Sequence, residues 1–116
     1  MVLAAAADPS SARREAAGRA LPNVRLYDSF ESLLSGEPGL DFIVLCTPPA
    51  FHGKQTLAAL EKSLHVLCEK PLTLAPEELD EIETLAARQD RVVYTVHNWA
   101  FSPIWRQARL LLDSGA

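Results

Sequence analysis

Glycine is sparse and poorly placed for gripping a phosphate. The five glycines are Gly18, Gly36, Gly39, Gly53 and Gly115. No two make a G-x-G pair, and none directly follows an apolar run. The glycine-rich turn that a dinucleotide site needs between its first strand and helix is therefore not among these residues. Cysteine is scarce too. Cys46 and Cys68 lie in apolar runs without scaffold spacing, so they are expected in the core of a reduced, cytoplasmic protein. The three histidines and two cysteines show no metal-ligand spacing, and no serine sits in a nucleophile elbow. No apolar run approaches the roughly 18 residues of a membrane span. Residues 1–7 are apolar but short, with no basic region before them, unlike a signal peptide. The formal net charge of −4 argues against nucleic acid or an anionic membrane as the main partner.

What is present is enough for one domain. A chain of 116 residues, 48% of them hydrophobic, can bury a core without staples. Four apolar runs read as strands: residues 2–7, 41–46 (DFIVLC), 64–68 (LHVLC) and 91–96 (RVVYTV), with a weaker fifth at 23–27. None alternates cleanly, which predicts strands buried on both faces, as in a parallel sheet. The alanine-rich first run is the least strand-like. Helical patterns lie between, at 10–21, 29–35, 51–62, 76–89 and 102–114. Capping serines, Pro76 at a first helical position and glycines near the ends mark their limits. Alternating strands and helices predict βαβ units in a doubly wound α/β sheet.

In such a sheet, ligands bind beyond the carboxyl ends of the strands. The residues there carry the chemistry. Asp8 ends the first run, where a carboxylate can accept from the hydroxyls of an adenosine ribose or cap the next helix. Thr47-Pro48-Pro49 follows DFIVLC and reads as a stiff turn, able to press its backbone on a flat ligand. His52, at the start of the next helix, reads as a cap or packing residue before a catalytic base. Glu69-Lys70-Pro71 is the most chemical segment, because a charged pair directly after a buried strand is costly unless used. Lysine there can donate to a substrate hydroxyl, and the bond before Pro71 can adopt cis. The bland alternative is a surface ion pair. Asn98 and Trp99 close the last strand. Trp99, Phe101 and Trp105 read as packing residues, for instance against a neighbouring domain. His65, inside a strand, reads as structural. A receiver domain has this length and a late Lys-Pro, but it needs an aspartate after the third strand, where Cys46-Thr47 stands.

Taken together, DFIVLCTPPAFH at 41–52, LAALEKSLHVLCEKP at 57–71 and VVYTVHNWAFSP at 92–103 resemble the Gfo/Idh/MocA family of NAD(P)-dependent sugar and polyol oxidoreductases. AAAADPSSAR at 4–13 resembles its second strand with a ribose-binding aspartate. The resemblance runs over essentially the whole chain. It implies a partial NAD(P)-binding Rossmann domain over residues 1–116, with NAD as cofactor and NADP possible through Arg13 or Arg14. It implies that Asp8 contacts the adenosine ribose and that Thr47, Pro48 and His52 flank the cofactor. Glu69 would lie near the nicotinamide ribose, Pro71 would fix the local geometry, and Lys70 would reach the substrate hydroxyl and assist proton transfer. Asn98 and Trp99 would sit where the strand turns towards the substrate. Ala100 departs from the arginine often found there.

The resemblance also implies a first strand and glycine-rich turn before Met1, and a substrate domain after Ala116 through which the family oligomerises. The expected parent activity is hydride transfer between NAD(P) and a hydroxyl-bearing carbon of a sugar, inositol or related polyol. The chain by itself is expected to be inactive and poorly stable. Alternatives are a non-catalytic nucleotide-binding or regulatory remnant of the same fold, and a purely structural domain. Without the central strand of the 3-2-1-4-5-6 order, residues 2–7 either pair with 42–46 or leave a gap with two exposed edges.

Overall fold

A computed structural model describes residues 2–115, apart from the side chain of Ala100. Met1, Ala116 and the Ala100 side chain, where the sequence suggested a preceding strand, a following domain and a lost arginine, lie outside that description. The chain alternates strand and helix as its pattern predicted: β1 (Ala5–Ala7), α1 (Ser11–Ala20), β2 (Arg25–Tyr27), α2 (Phe30–Gly36), β3 (Phe42–Leu45), α3 (Pro49–Glu61), β4 (His65–Cys68), α4 (Pro76–Gln89) and β5 (Val93–Thr95). A 3-10 turn, Asn98–Phe101, and α5 (Pro103–Asp113) complete it.

Local chemistry sets the boundaries. The Ser10 side chain accepts from the Arg13 amide to start α1, and Ser29 accepts from Ser32 to start α2. Proline at the first helical position starts α3, α4 and α5, where its missing N–H costs nothing. This is why α3 begins at Pro49 rather than at 51: the second proline of the pair enters the helix instead of stiffening a loop. The first strand contracts to three residues.

All strand pairs are parallel, and they form two sheets. β1 pairs with β2, Ala6 opposite Leu26. β3, β4 and β5 form the second sheet, with Val44 opposite Leu67 and Leu67 opposite Tyr94. β1 does not pair with β3, so the direct closure of 2–7 onto 42–46 is not what the chain does. Side chains join the two sheets instead. Leu33 of α2 is buried in the same cluster as Ile43 and Leu45, and Ala5 and Tyr27 pack against it. The radius of gyration, 17.1 Å, exceeds the roughly 13 Å of a compact domain this long.

The expectation of strands buried on both faces also fails. Along β3 burial alternates: Ile43 and Leu45 are buried, whereas Phe42 and Val44 are exposed. α3 packs on α4 and covers one face of β3 and β4. Val44 and Tyr94 lie open on the other. Cys46 follows that alternation and is exposed, correcting its expected place in the core; Cys68 is buried as expected. The residue period of two decides this, since among the described residues helical cover lies on one face of the sheet.

Candidate functional site

The turns after β3 and β4 lie side by side because the two strands are adjacent and in parallel register. The Glu69 amide donates to the Leu45 carbonyl at 2.9 Å, carrying the ladder one residue past β4. In the turn after β3, the Thr47 hydroxyl donates to Gln55 Oε1 at 2.6 Å, and Pro48 is the N-cap of α3. In the turn after β4, the Lys70–Pro71 peptide is cis. The Lys70 amide donates to its neighbour's carboxylate, Glu69 Oε2, at 3.3 Å.

His52 joins these turns. It is 1% exposed. Its Nε2 lies 2.6 Å from the Thr47 carbonyl oxygen and its Nδ1 lies 2.7 Å from that of Pro71. Carbonyl oxygens only accept, so the tautomer decides which of the two carbonyls receives the ring N–H, and both ring nitrogens face main-chain oxygens. With both nitrogens engaged inward, His52 presents no polar atom to a ligand. It lies behind the two turns and is in contact with the backbone of both.

Lys70 is exposed. The salt bridges among the described residues are Arg13–Asp8, Arg25–Glu37 and Arg109–Asp113. None uses Lys70, so the surface ion pair with Glu69 does not form. The ammonium stands at the sheet edge without a carboxylate partner.

β5 ends beside this pair of turns, its ladder continued by the Val96 amide donating to the Cys68 carbonyl at 2.9 Å. Asn98 and Trp99 follow in the 3-10 turn, which the sequence pattern did not reveal. Trp99 is 67% exposed. Asp8 stands apart, at the end of β1 in the other sheet. Its Oδ1 accepts from the Ser10 amide at 2.8 Å, and its Oδ2 faces Arg13 at 3.4 Å. Arg14 donates to the Asp8 carbonyl at 2.6 Å. Asp8 thus braces the start of α1, while its side chain stays partly open to solvent.

The structure therefore gathers Thr47, Pro48, His52, Glu69, Lys70 and Pro71 at one edge, with Asn98 and Trp99 next to them, and keeps Asp8 in the other sheet. Sequence reading missed Gln55, Thr73 and Glu78. Thr73 donates to Glu78, and its hydroxyl also accepts from the Ala75 amide at 3.0 Å. The available signal was Gly53. A glycine inside a helix marks a close approach, and here a Cβ would run into the Glu78 carboxylate.

The largest electrostatic cluster lies outside this edge. Glu37, buried, accepts from Arg25 Nε and Nη2 at 2.5 Å each and from the Tyr27 hydroxyl at 2.7 Å. Hydrogen bonds from Arg25 and then Tyr27 hold its carboxyl down at about 2. Gly36 leaves room for the Tyr27 ring, which a Cβ would approach to 2.7 Å. The cluster ties β2 to the end of α2, a structural role. Burial pushes the Cys68 thiol up to about 11, which keeps it protonated and inert.

Known proteins resemble this chain in sequence and fold. The profile of the GFO_IDH_MocA oxidoreductases, a family with an NAD-binding Rossmann fold, matches residues 1–97. An inositol 2-dehydrogenase of Rhodococcus erythropolis is 36% identical over 110 residues, which are 93% of this chain and 31% of that protein. A D-glucoside 3-dehydrogenase of Escherichia coli is 33% identical over 98 residues, covering 83% of this chain and 27% of its own. The crystal structure of a myo-inositol 2-dehydrogenase from Lactobacillus plantarum superposes with a TM-score of 0.86 at 27% identity, over 99% of this chain and 34% of that one. The chain thus spans about a quarter to a third of the length of the relatives it matches. A family match over five-sixths of the sequence, with a relative 36% identical over 93% of the chain, places the chain in the Gfo/Idh/MocA oxidoreductase family.

Proposed function

We propose that the chain is the cofactor-side portion of an enzyme that moves a hydride between NAD(P) and a hydroxyl-bearing carbon of a polyol or sugar. The observation that carries this reading is the unpaired Lys70 ammonium at the end of β4, next to the Thr47-Pro48 turn. The described residues suit the two ends of a dinucleotide. Asp8 offers a partly open carboxylate for the hydroxyls of an adenosine ribose, with NAD favoured. Arg13, 78% exposed, stands close enough to meet a 2′-phosphate and admit NADP. Thr47, Pro48, Glu69 and Pro71 would flank the nicotinamide half. No glycine of the described chain follows a strand to cradle the pyrophosphate.

A bound nicotinamide supplies the hydride acceptor or donor. The chain's own residues orient the partners. Lys70 would direct its N–H groups at the substrate hydroxyl oxygen, steadying the charge that develops there as the carbon gives its hydride to the nicotinamide and the hydroxyl proton passes to a base that the described residues do not supply. Asn98 and Trp99, next along the edge, would bound the substrate. The names of the inositol and glucoside dehydrogenases above support a polyhydroxylated ring as substrate class.

The test is NAD(P)H formation with myo-inositol and with glucosides, using the reading frame extended in both directions. Lys70→Ala should lower turnover by about 100-fold or more while dinucleotide binding survives. Unchanged turnover overturns the role of Lys70.

A further inference from the structure

We infer that His52 is a positioning residue, one that sets the spacing between the Thr47 turn and Lys70, seconded by a Thr73–Glu78 anchor that Gly53 makes room for. The inference rests on the proposed function only for what that spacing serves. The geometry stands by itself.

Among the described residues Lys70 has no side-chain partner, so its place is set by its backbone. That backbone is fixed one residue to either side. Before it, the Glu69 amide is held by the Leu45 carbonyl of the sheet. After it, the Pro71 carbonyl faces His52 Nδ1. The other nitrogen of the same rigid ring lies 2.6 Å from the Thr47 carbonyl oxygen, so the ring sits wedged between the two turns and its single N–H bonds one of them. The separation of the two turns is therefore fixed by the width of one imidazole, and the ring cannot rotate to relieve a shift because it is buried in α3. Two residues past Pro71, Thr73 donates to Glu78 of α4, pinning the far end of the Lys70 turn. That contact passes over Gly53, where a Cβ would lie 3.1 Å from the Thr73 hydroxyl and strike the Glu78 carboxylate. Adjacent residues of α3 thus serve the same turn, His52 by binding its backbone and Gly53 by vacating space. Neither need touch a ligand to decide where the ammonium sits. A shift of about 1 Å in such a group is enough to cost a reaction heavily.

The experiment is amide exchange followed by NMR on the whole 116-residue chain, with strand amides of Val66 and Leu67 as internal reference. His52→Asn keeps an N–H donor but is too short to span both carbonyls. It should speed exchange at Ala75, whose amide donates to Thr73, and at Phe51, whose amide donates to Pro48, together, by about tenfold, with the reference amides unchanged. Glu78→Ala should speed Ala75 but leave Phe51 in the Thr47 turn alone, and Glu78→Gln, which keeps an acceptor oxygen, should restore Ala75. Lysine methyl groups introduced with a 13C label give a second readout. The Lys70 signal should move in His52→Asn while that of Lys62 stays. If exchange quickens in only one turn, or Glu78→Gln fails to restore what Glu78→Ala loses, the positioning role is wrong. Should His52→Asn unfold the chain, the Glu78 pair alone decides. Loss of the coupling with Lys70 still essential for turnover overturns the positioning alone, whereas intact coupling with a dispensable Lys70 overturns only the proposed function.

Discussion

The stretch from β3 to α4 and the stretches around it are built to different standards. From Phe42 to Gln89, side chains close into a core: Leu45, Ala59, Leu60, Cys68 and Ile82 are each at most 2% exposed. α1 and α5 bury no residue at all. α5 is nonetheless amphipathic, with Ile104, Leu111 and Leu112 along it, and all three are exposed. The predicted packing residues Trp99, Phe101 and Trp105 are exposed as well. The difference teaches that the site edge belongs to the self-sufficient part. The turns bearing Thr47 and Lys70 are anchored by α3 and α4, both of which are packed, whereas Asp8 rests on a two-stranded sheet linked to the core through Leu33 and its neighbours.

That contrast can be broken most sharply in the core. Leu60→Ala should destabilise the chain by about 2–5 kcal/mol in a denaturant titration, because it opens a cavity where nothing is exposed. A loss as small as a surface substitution gives would show that the β3–α4 unit is not the stable part. The two cysteines make the next comparison. Cys46, exposed, should react with a thiol reagent in the native chain. Cys68, with its thiol pushed up from 9.0 to about 11, should react about a hundredfold more slowly or only on unfolding. Equal rates would mean that the β4 side of the core opens readily.

Gly53→Ala follows, with an expected cost of about 1–3 kcal/mol, since Glu78 and Thr73 must give way to the new methyl group. A neutral result would place those side chains further away. Glu37 sharpens the picture of the β1–β2 side. Its carboxyl is held below the usual value, so its contribution is fully present above the ordinary carboxylate range, near 4.5. It is lost as pH falls from there towards about 2. Glu37→Gln should flatten the acid limb of stability against pH over that window, and an unchanged limb would show that the Arg25 and Tyr27 contacts do not hold the carboxylate. The smallest effect is expected at Leu111→Ala, within about 0.5 kcal/mol. A larger loss would mean that α5 has a partner and that the contrast between the two regions is false.

Much of the fold was legible because its signals are local. Pro76 and the stripe of Leu79, Ile82, Leu85 and Ala86 gave α4 its limits as observed. The segments TPPAFH and CEKP marked the strand ends by placing prolines and charge directly after apolar runs. The exposure of Cys46 and Val44 was not legible. An apolar run has the same appearance whether a helix covers one face of the sheet or both, and coverage is a property of distant segments. The role of His52 was hidden for the same reason. Its two partners are backbone carbonyls, one of them 19 positions away, and a carbonyl has no residue identity to read.

The sequence by itself determined the order of strands and helices and the residues at each strand end, because periodicity, caps and prolines act over a few residues. Only the tertiary structure decided that β1 and β3 do not pair, that one sheet face stays open and that one buried imidazole spaces the two turns. Those outcomes depend on which surfaces meet across the chain, and the energy of meeting is shared among residues far apart in sequence.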